Sequence, residues 1–183
     1  LAYEVLLGSG KAVGYGRLIW AAGGDARRLS CPGAHLEGVH AVRDKRDVDN
    51  MLADLERGAR RFVVIGGGFI GLELAASAAK RGCRVTVIEA QPRVLMRGVP
   101  PEIARRIAAR HAEAGVAILT SASIAHISAD TIVLSDGREI AAEVIIAGIG
   151  AAPRIKLAEQ AGLALDNGIA CNTYLQTSDP HIF

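Results

Sequence analysis

The sequence predicts an α/β fold built on a parallel sheet, and three observations carry that prediction. Arg61-Phe62-Val63-Val64-Ile65 is an almost continuously apolar strand, the kind buried on both faces of a parallel sheet. It runs at once into Gly66-Gly67-Gly68-Phe69-Ile70-Gly71, then the helix formers Leu72–Arg81 closed by Gly82, then a second apolar strand, Arg84–Ile88, ending at Glu89. Val144–Ala147 is apolar again and delivers another glycine turn, Gly148-Ile149-Gly150. A strand, glycine turn, helix and strand within about 30 residues is the unit from which parallel sheets are assembled.

Taken in order, Tyr3–Leu7 and Tyr15–Ala22 read as two strands joined by the turn Gly8-Ser9-Gly10-Lys11. Gly10-Lys11 is not a P-loop, because Val5 replaces its first glycine and Ala12 replaces the hydroxyl that would meet magnesium. Gly23-Gly24 through Gly33, with Pro32, reads as a loop. Asp47–Arg57 puts Val48, Met51, Leu52 and Leu55 on one face and has Gly58 as its stop, so a short amphipathic helix is expected. Beyond the central unit, Pro101–Ala114 is a helix with Ile103 and Ile107 inward, Arg105, Arg106 and Arg110 outward, and Gly115 as stop. Val116–Leu119 supplies a third sheet strand. Ile124–Ile127, Thr131–Leu134 and Glu139–Ala142 form an antiparallel β-meander with a tight turn at Ser135-Asp136-Gly137. After Pro153, Lys156–Ala161 is a short helix, and Gly168–Asn172 and His181–Phe183 are strand pieces.

Half of the 183 residues are apolar and 22% are charged, so the chain is globular. Aromatics are only 4%, which leaves the core to Ala, Val, Ile and Leu. A net charge of +2 is too small for the basic surface that nucleic-acid binding needs. Apolar runs such as Val144–Ile149 fall far short of the roughly 20 residues that span a bilayer, so no membrane partner and a cytoplasmic location are expected. Cys31, Cys83 and Cys171 never form a C-x-x-C, and free, mostly buried thiols are expected. His35, His40, His111, His126 and His181 have no ligand-pair spacing, so no metal site is expected. Leu1 in place of Met and the apolar Ile182-Phe183 both read as cuts, which makes a fragment the expectation.

The glycines divide three tasks. Gly66 permits the tight turn out of the strand, Gly68 lets a pyrophosphate approach the backbone, and Gly71 lets the helix pack closely on the sheet. The helix N-terminus then offers N–H groups to phosphates. Glu89, 23 residues beyond Gly66, is placed to accept both hydroxyls of an adenosine ribose and to repel a 2′-phosphate. A Rossmann-like dinucleotide-binding domain favouring NAD(H) over NADP(H) follows. Glu73, two residues after Gly71 in the first helical turn, either complements the helix dipole at the surface or contacts the reactive end of the ligand. Arg93 and Arg97 follow Glu89 on one loop, to stack on adenine, pair with phosphate or stand in solvent. The groups Lys80, Arg81, Arg84 and Arg105, Arg106, Arg110 read as solvated faces.

Three blocks, Phe62 through Ala75, Val144 through Gly150 and Thr177-Ser178-Asp179-Pro180, together resemble the FAD-dependent pyridine nucleotide-disulfide oxidoreductase superfamily. The nearest branch is the NADH-dependent ferredoxin reductase type, with putidaredoxin and rubredoxin reductases, and the resemblance runs over essentially the whole chain in order. It implies an NAD(H)-binding domain over 40–150, flanked by partial FAD-domain strands at 1–39 and 151–183. Ile19-Trp20-Ala21-Ala22-Gly23 resembles the family's strand ending in Ala-Thr-Gly, with Ala22 in place of Thr. The resemblance puts Glu73 near the nicotinamide amide, Glu89 on the adenosine ribose, Arg97 on the adenosine side, and Gly148, Ile149 and Gly150 in the nicotinamide pocket. The cofactor-binding set is then Gly66, Gly67, Gly68, Phe69, Ile70, Gly71, Glu73, Glu89, Ala90, Arg97, Gly148, Ile149 and Gly150, with Ala22 and Gly23 on the flavin side. No catalytic side chain is expected.

The implied reaction passes a hydride from NADH to FAD and then electrons to a ferredoxin-like iron–sulfur protein, so the cofactors carry the chemistry. The absent C-x-x-C agrees with this branch rather than with a disulfide reductase. The resemblance places the FAD fingerprint upstream of this chain and a flavin-contacting Gly-Asp after Phe183, so the chain alone is expected to bind NADH without turnover. Uncovered strand surface around Tyr15–Ala22 and Ile169–Phe183 is expected to drive self-association. Two alternatives stand beside this reading: a stand-alone NAD(H)-sensing module, and FAD rather than NAD at Gly66–Gly71.

Overall fold

The computed structural model describes residues 3–183; Leu1 and Ala2, where the first expected segment begins, lie outside the described residues. In chain order the first strands are β1 (Glu4–Leu6), β2 (Ala12–Gly14), β3 (Gly24–Ala26) and β4 (Val39–Ala41), followed by helix α1 (Lys45–Glu56). Next come β5 (Arg61–Ile65), α2 (Phe69–Lys80), β6 (Arg84–Ile88), α3 (Pro101–Glu113) and β7 (Val116–Leu119). The chain continues through β8 (Ile124–Ile127), β9 (Thr131–Leu134), β10 (Glu139–Ala141), β11 (Val144–Ala147), β12 (Ala151–Pro153) and α4 (Lys156–Gln160). Two units are distinguishable: Ala26–Ala151, and the residues up to Asp25 together with Ala152–Phe183.

In the unit Ala26–Ala151, five strands in the order β4-β11-β5-β6-β7 make an all-parallel sheet. Its apolar continuity has a direct cause, because both faces are covered. Phe62, Val64, Val85, Val87, Val144 and Ile146 pack against Leu72, Ala75 and Ala78 of α2, Met51 of α1 and Ala104 of α3. Val63, Ile65, Ile88 and Ile145 face the other way, onto Ile127, Ile132 and Leu134 of the antiparallel sheet β10-β9-β8 and Ala142 just beyond it. The expected α/β architecture, a parallel sheet with an antiparallel meander, is what the structure has, with the meander as the second covering layer.

Local sequence explains the helices. Asp44 caps α1 by accepting from the Arg46 and Asp47 N–H groups, while the Asp47 carboxylate accepts the Asp44 N–H, so α1 starts two residues before the expected Asp47. Val48, expected inward, is exposed, and buried Asp54 takes a place on the inner face because it is paired with His40 at 2.6 Å and with Arg57. Helix α2 begins at Phe69, three residues earlier than expected, so Glu73 falls in the second turn rather than the first. In α3 the buried face is Ala104, Ile107, Ala108 and His111, and Ile103 is 44% exposed. Ile103 was expected inward; the stripe runs one residue later. The His111 ring fixes that phase, its Nε2 lying 3.1 Å from the Leu72 carbonyl of α2.

The other unit departs more from expectation. The hairpin exists, but its second strand is Ala12–Gly14, with Val5 opposite Val13. Tyr15–Ala22, Gly168–Asn172 and His181–Phe183 are not strands. Their ladders stop at single bridges, Leu18 with Ile182 and Leu165 with Ile169. The Gly23–Gly33 loop contains β3, which pairs with β12 where the chain passes from one unit to the other and back. Cys31 is half-buried, Cys171 is exposed, and burial pushes the Cys83 thiol up; all three are free. No helix among the described residues is long and apolar enough to cross a membrane.

Glu143 holds the entry to the central strand. Its Oε2 accepts the Arg60 and Arg61 N–H groups at 2.8 and 2.9 Å, and its Oε1 lies 3.0 Å from the Arg61 guanidinium. These backbone hydrogen bonds, with the two arginines adding to them, hold its carboxyl below the usual carboxylate range. Its contribution is therefore complete above the unfolded-state pKa and disappears as pH falls through the lower folded-state value. The urea midpoint of Glu143→Gln should lie below that of the parent at neutral pH. The gap should close progressively below about pH 4.

Candidate functional site

The carboxyl end of β5 is shaped by contacts that leave no room for a side chain. Gly66 has φ +106°, and a Cβ there would lie 2.5 Å from the Gly148 carbonyl oxygen. A Cβ on Gly71 would lie 2.0 Å from the Gly66 carbonyl oxygen, and one on Gly148 would lie 3.2 Å from the Gly71 Cα. Backbone therefore packs on backbone where β5, β11 and α2 meet. Gly68 differs: its φ of −79° and ψ of −177° suit any residue, and a Cβ would meet nothing within 4 Å. Nothing inside the protein demands glycine at Gly68. The space its missing side chain leaves is free for a group from outside.

That space belongs to a cleft of about 700 Å³ lined by Gly66–Ile70, Ile88–Gln91, Leu95–Arg97, Ala122–Ile124 and Ala147–Ala151, with Arg28, Cys31, Val42 and Arg43 among the rest. It lies where β6 and β11 leave β5 in opposite directions, the switch point at which open α/β sheets bind ligands. Helix α2 starts there with Gly68 as N-cap and no side-chain capping bond, so the N–H groups of its first turn are available to an anion. Arg28, Arg43 and Arg97 line the cleft against one carboxylate, Glu89, a balance that suits a polyanion.

Half-buried Glu89 is fixed from both sides. Its Oε2 accepts the Gly67 N–H at 2.7 Å and its Oε1 accepts the Gln91 N–H at 2.8 Å. Each oxygen keeps a second lone pair, so the pair can accept two neighbouring hydroxyls. Arg97 is exposed and lines the cleft, whereas half-buried Arg93 does not line it: its guanidinium donates to loop carbonyls.

Of the residues expected from sequence, Gly66, Gly67, Gly68, Phe69, Ile70, Glu89, Ala90, Arg97, Gly148, Ile149 and Gly150 line one cleft. Gly71 is buried beneath it and Glu73 is exposed outside its lining. Ala22 and Gly23 belong to the other unit, whose own groove of about 650 Å³ is lined by Arg17, Ile19, Trp20, Ile169, Cys171, Tyr174, Leu175, Thr177 and Phe183 and not by them. Arg28 and Arg43 carried no sequence signal, because only the fold brings them to the cleft. Among the described residues no cluster of His, Cys, Asp or Glu is placed to hold a metal ion.

Comparison with known proteins agrees in order and extent. A family model described as pyridine nucleotide-disulphide oxidoreductase matches residues 2–183. The ferredoxin–NAD(P)(+) reductase of a Sphingomonas species is 40% identical over 98% of this chain and 44% of its own length. The rubredoxin–NAD(+) reductase of Pseudomonas putida is 41% identical over 95% of this chain and 46% of its own. The crystal structure of the ferredoxin reductase for the CYP199A2 system of Rhodopseudomonas palustris superposes with a TM-score of 0.92 at 38% identity, covering 99% of this chain and 46% of that one. The chain thus spans about half the length of the curated relatives it matches.

The glycine contacts separate two substitutions that look alike on paper. Gly71→Ala drives a methyl into the Gly66 carbonyl and should cost about 3 kcal/mol of stability or more. Gly68→Ala should cost less than about 1 kcal/mol, the difference between two uncharged N-cap residues. Urea denaturation of both variants measures the contrast.

Proposed function

Since the chain belongs to the pyridine nucleotide-disulphide oxidoreductase family, we propose that its cleft binds NADH, with the pyrophosphate over Gly68 and the first turn of α2. Glu89 receives the adenosine ribose, and Ala90 and Arg97 border the adenosine side. Gly148, Ile149 and Gly150 border the nicotinamide; Glu73 joins that end by family likeness alone. The observation that carries this reading is Gly68, a glycine that the protein's own packing does not require, at an uncapped helix N-terminus. In these terms 40–150 is the NAD(H)-binding domain, and 1–39 with 151–183 belong to an FAD-binding domain.

In the whole protein, nicotinamide and flavin together would supply hydride transfer followed by release of single electrons to a ferredoxin-like iron–sulfur partner, in the cytoplasm. The names of the ferredoxin and rubredoxin reductases among the relatives support that class. Ala22 and Gly23, the flavin-side residues of the expected set, line neither of the two clefts. The work of this chain is to bind and orient the nucleotide, so it should bind NADH without turning it over. Orientation alone is a substantial part of catalysis when cofactors do the chemistry.

Titration calorimetry of the chain should show saturable NADH binding, with NADPH weaker by about tenfold or more because a 2′-phosphate meets the Glu89 carboxylate. Glu89→Ala should narrow that gap, and absence of NADH binding would overturn the reading. In the other unit Ile19, Tyr174 and Leu175 are 80%, 83% and 67% exposed beside its apolar groove. The chain should therefore self-associate, and light scattering that finds only monomer at high concentration would contradict this.

A further inference from the structure

Two arginines four residues apart on the loop after β6 have opposite fates. Arg97 lines the cleft, while half-buried Arg93 turns its guanidinium onto three consecutive carbonyls. Its Nη1 donates to Val94 and Leu95 at 3.4 and 3.3 Å, and its Nη2 donates to Met96 at 3.1 Å. A planar fork of fixed donors suits such a row of acceptors, and an ammonium group does not reproduce it. The row exists because Leu95 stands at φ +52°, a left-handed conformation that a leucine adopts only when its surroundings impose it.

The strained turn is bolted to the glycine motif. The Leu95 N–H donates to the Gly67 carbonyl at 2.9 Å. Val94 is buried against Gly67, where a Cβ would come within 2.8 Å of its methyl. Gly67 in turn donates its own N–H to Glu89. Leu95, Met96 and Arg97 then form one wall of the cleft. We propose that Arg93 is a positioning residue for the dinucleotide, acting through Leu95 and Gly67 without touching the ligand. This rests on the dinucleotide reading above. Releasing the three carbonyls lets the turn relax out of its left-handed conformation, and the wall and the Gly67 peptide move with it.

The test is titration of the 183-residue chain with NADH and NADPH for the parent, Arg93→Ala and Arg93→Lys, together with amide hydrogen exchange at Leu95. Both variants should weaken NADH by about tenfold, the value of a hydrogen bond to a charged group. The NADH-to-NADPH preference should be kept, because Glu89 is intact, and the Leu95 amide should exchange faster. A general loss of fold would not preserve that preference. Arg93→Lys keeps the aliphatic stem and decides the matter if Arg93→Ala fails to fold. Affinity restored by lysine would make Arg93 a charge acting on phosphate and overturn the proposal, as would an Arg93→Ala variant that binds like the parent. Either result leaves the dinucleotide reading standing. A parent chain that binds no NADH would overturn that reading and the proposal together.

Discussion

Backbone contact among Gly66, Gly71 and Gly148 is the constraint on which the rest of the structure depends. With distances this short, α2 rests directly on the ends of β5 and β11. That closeness is what lets Ala75 and Ala78, rather than larger residues, fill the space under the helix. It also decides where the N-terminus of α2 points. A helix held farther away by side chains would present the same N–H groups but aim them past the switch point of the sheet. Geometry of packing and chemistry of the cleft are therefore one feature, and the apolar character of β5 and β11 serves both.

The covering layers bear on the site in different ways. On the helical face, α3 braces α2 from the side through His111 on the Leu72 carbonyl. On the other face the antiparallel meander replaces helices, and its approach through Ser121 and Ala122 reaches the site. The Ser121 N–H donates to the Gln91 carbonyl and the Ala122 N–H to the Glu89 carbonyl, so the segment after β7 braces the loop that carries the carboxylate. Glu89 is thus held by its side chain from the glycine turn and by its backbone from the meander entry. A carboxylate so restrained loses little freedom on meeting two hydroxyls.

What could be read from sequence is what is encoded locally. The unit β5-α2-β6, the strands β7 to β11 and the lining glycines all announce themselves through apolar runs and turn residues within a few positions. Strands β3, β4 and β12 have three residues each, and nothing local marks them, since each is a strand only because a distant partner pairs with it. The same cause acts in reverse at Tyr15–Ala22, where, among the described residues, the β-like sequence forms a single isolated bridge, at Leu18. Periodicity placed Ile103 inward by assuming the stripe began with the first large apolar residue, whereas the small Ala104 fits closest to the sheet. Arg28 and Arg43 reach the cleft through topology, which no spacing rule expresses.

Arg93 and Arg97 show how far residue type alone carries a functional argument. Both are arginines on a loop following an acidic residue at a strand end, and sequence assigned them the same menu of roles. Their surroundings separate them: a left-handed Leu95 presents carbonyls to one side, and the guanidinium on that side is consumed by the fold. The one left over stands at the cleft with no carbonyl row to satisfy. A polyanion entering the cleft would meet Arg97 as an exposed side-chain charge and the α2 N-terminus as a fixed backbone one. The fixed donors lose almost no entropy on binding, whereas the exposed arginine must be ordered to contribute. Recognition of a polyanion in this cleft would consequently be weighted toward backbone groups set by glycine contacts, with side-chain charge as the adjustable part.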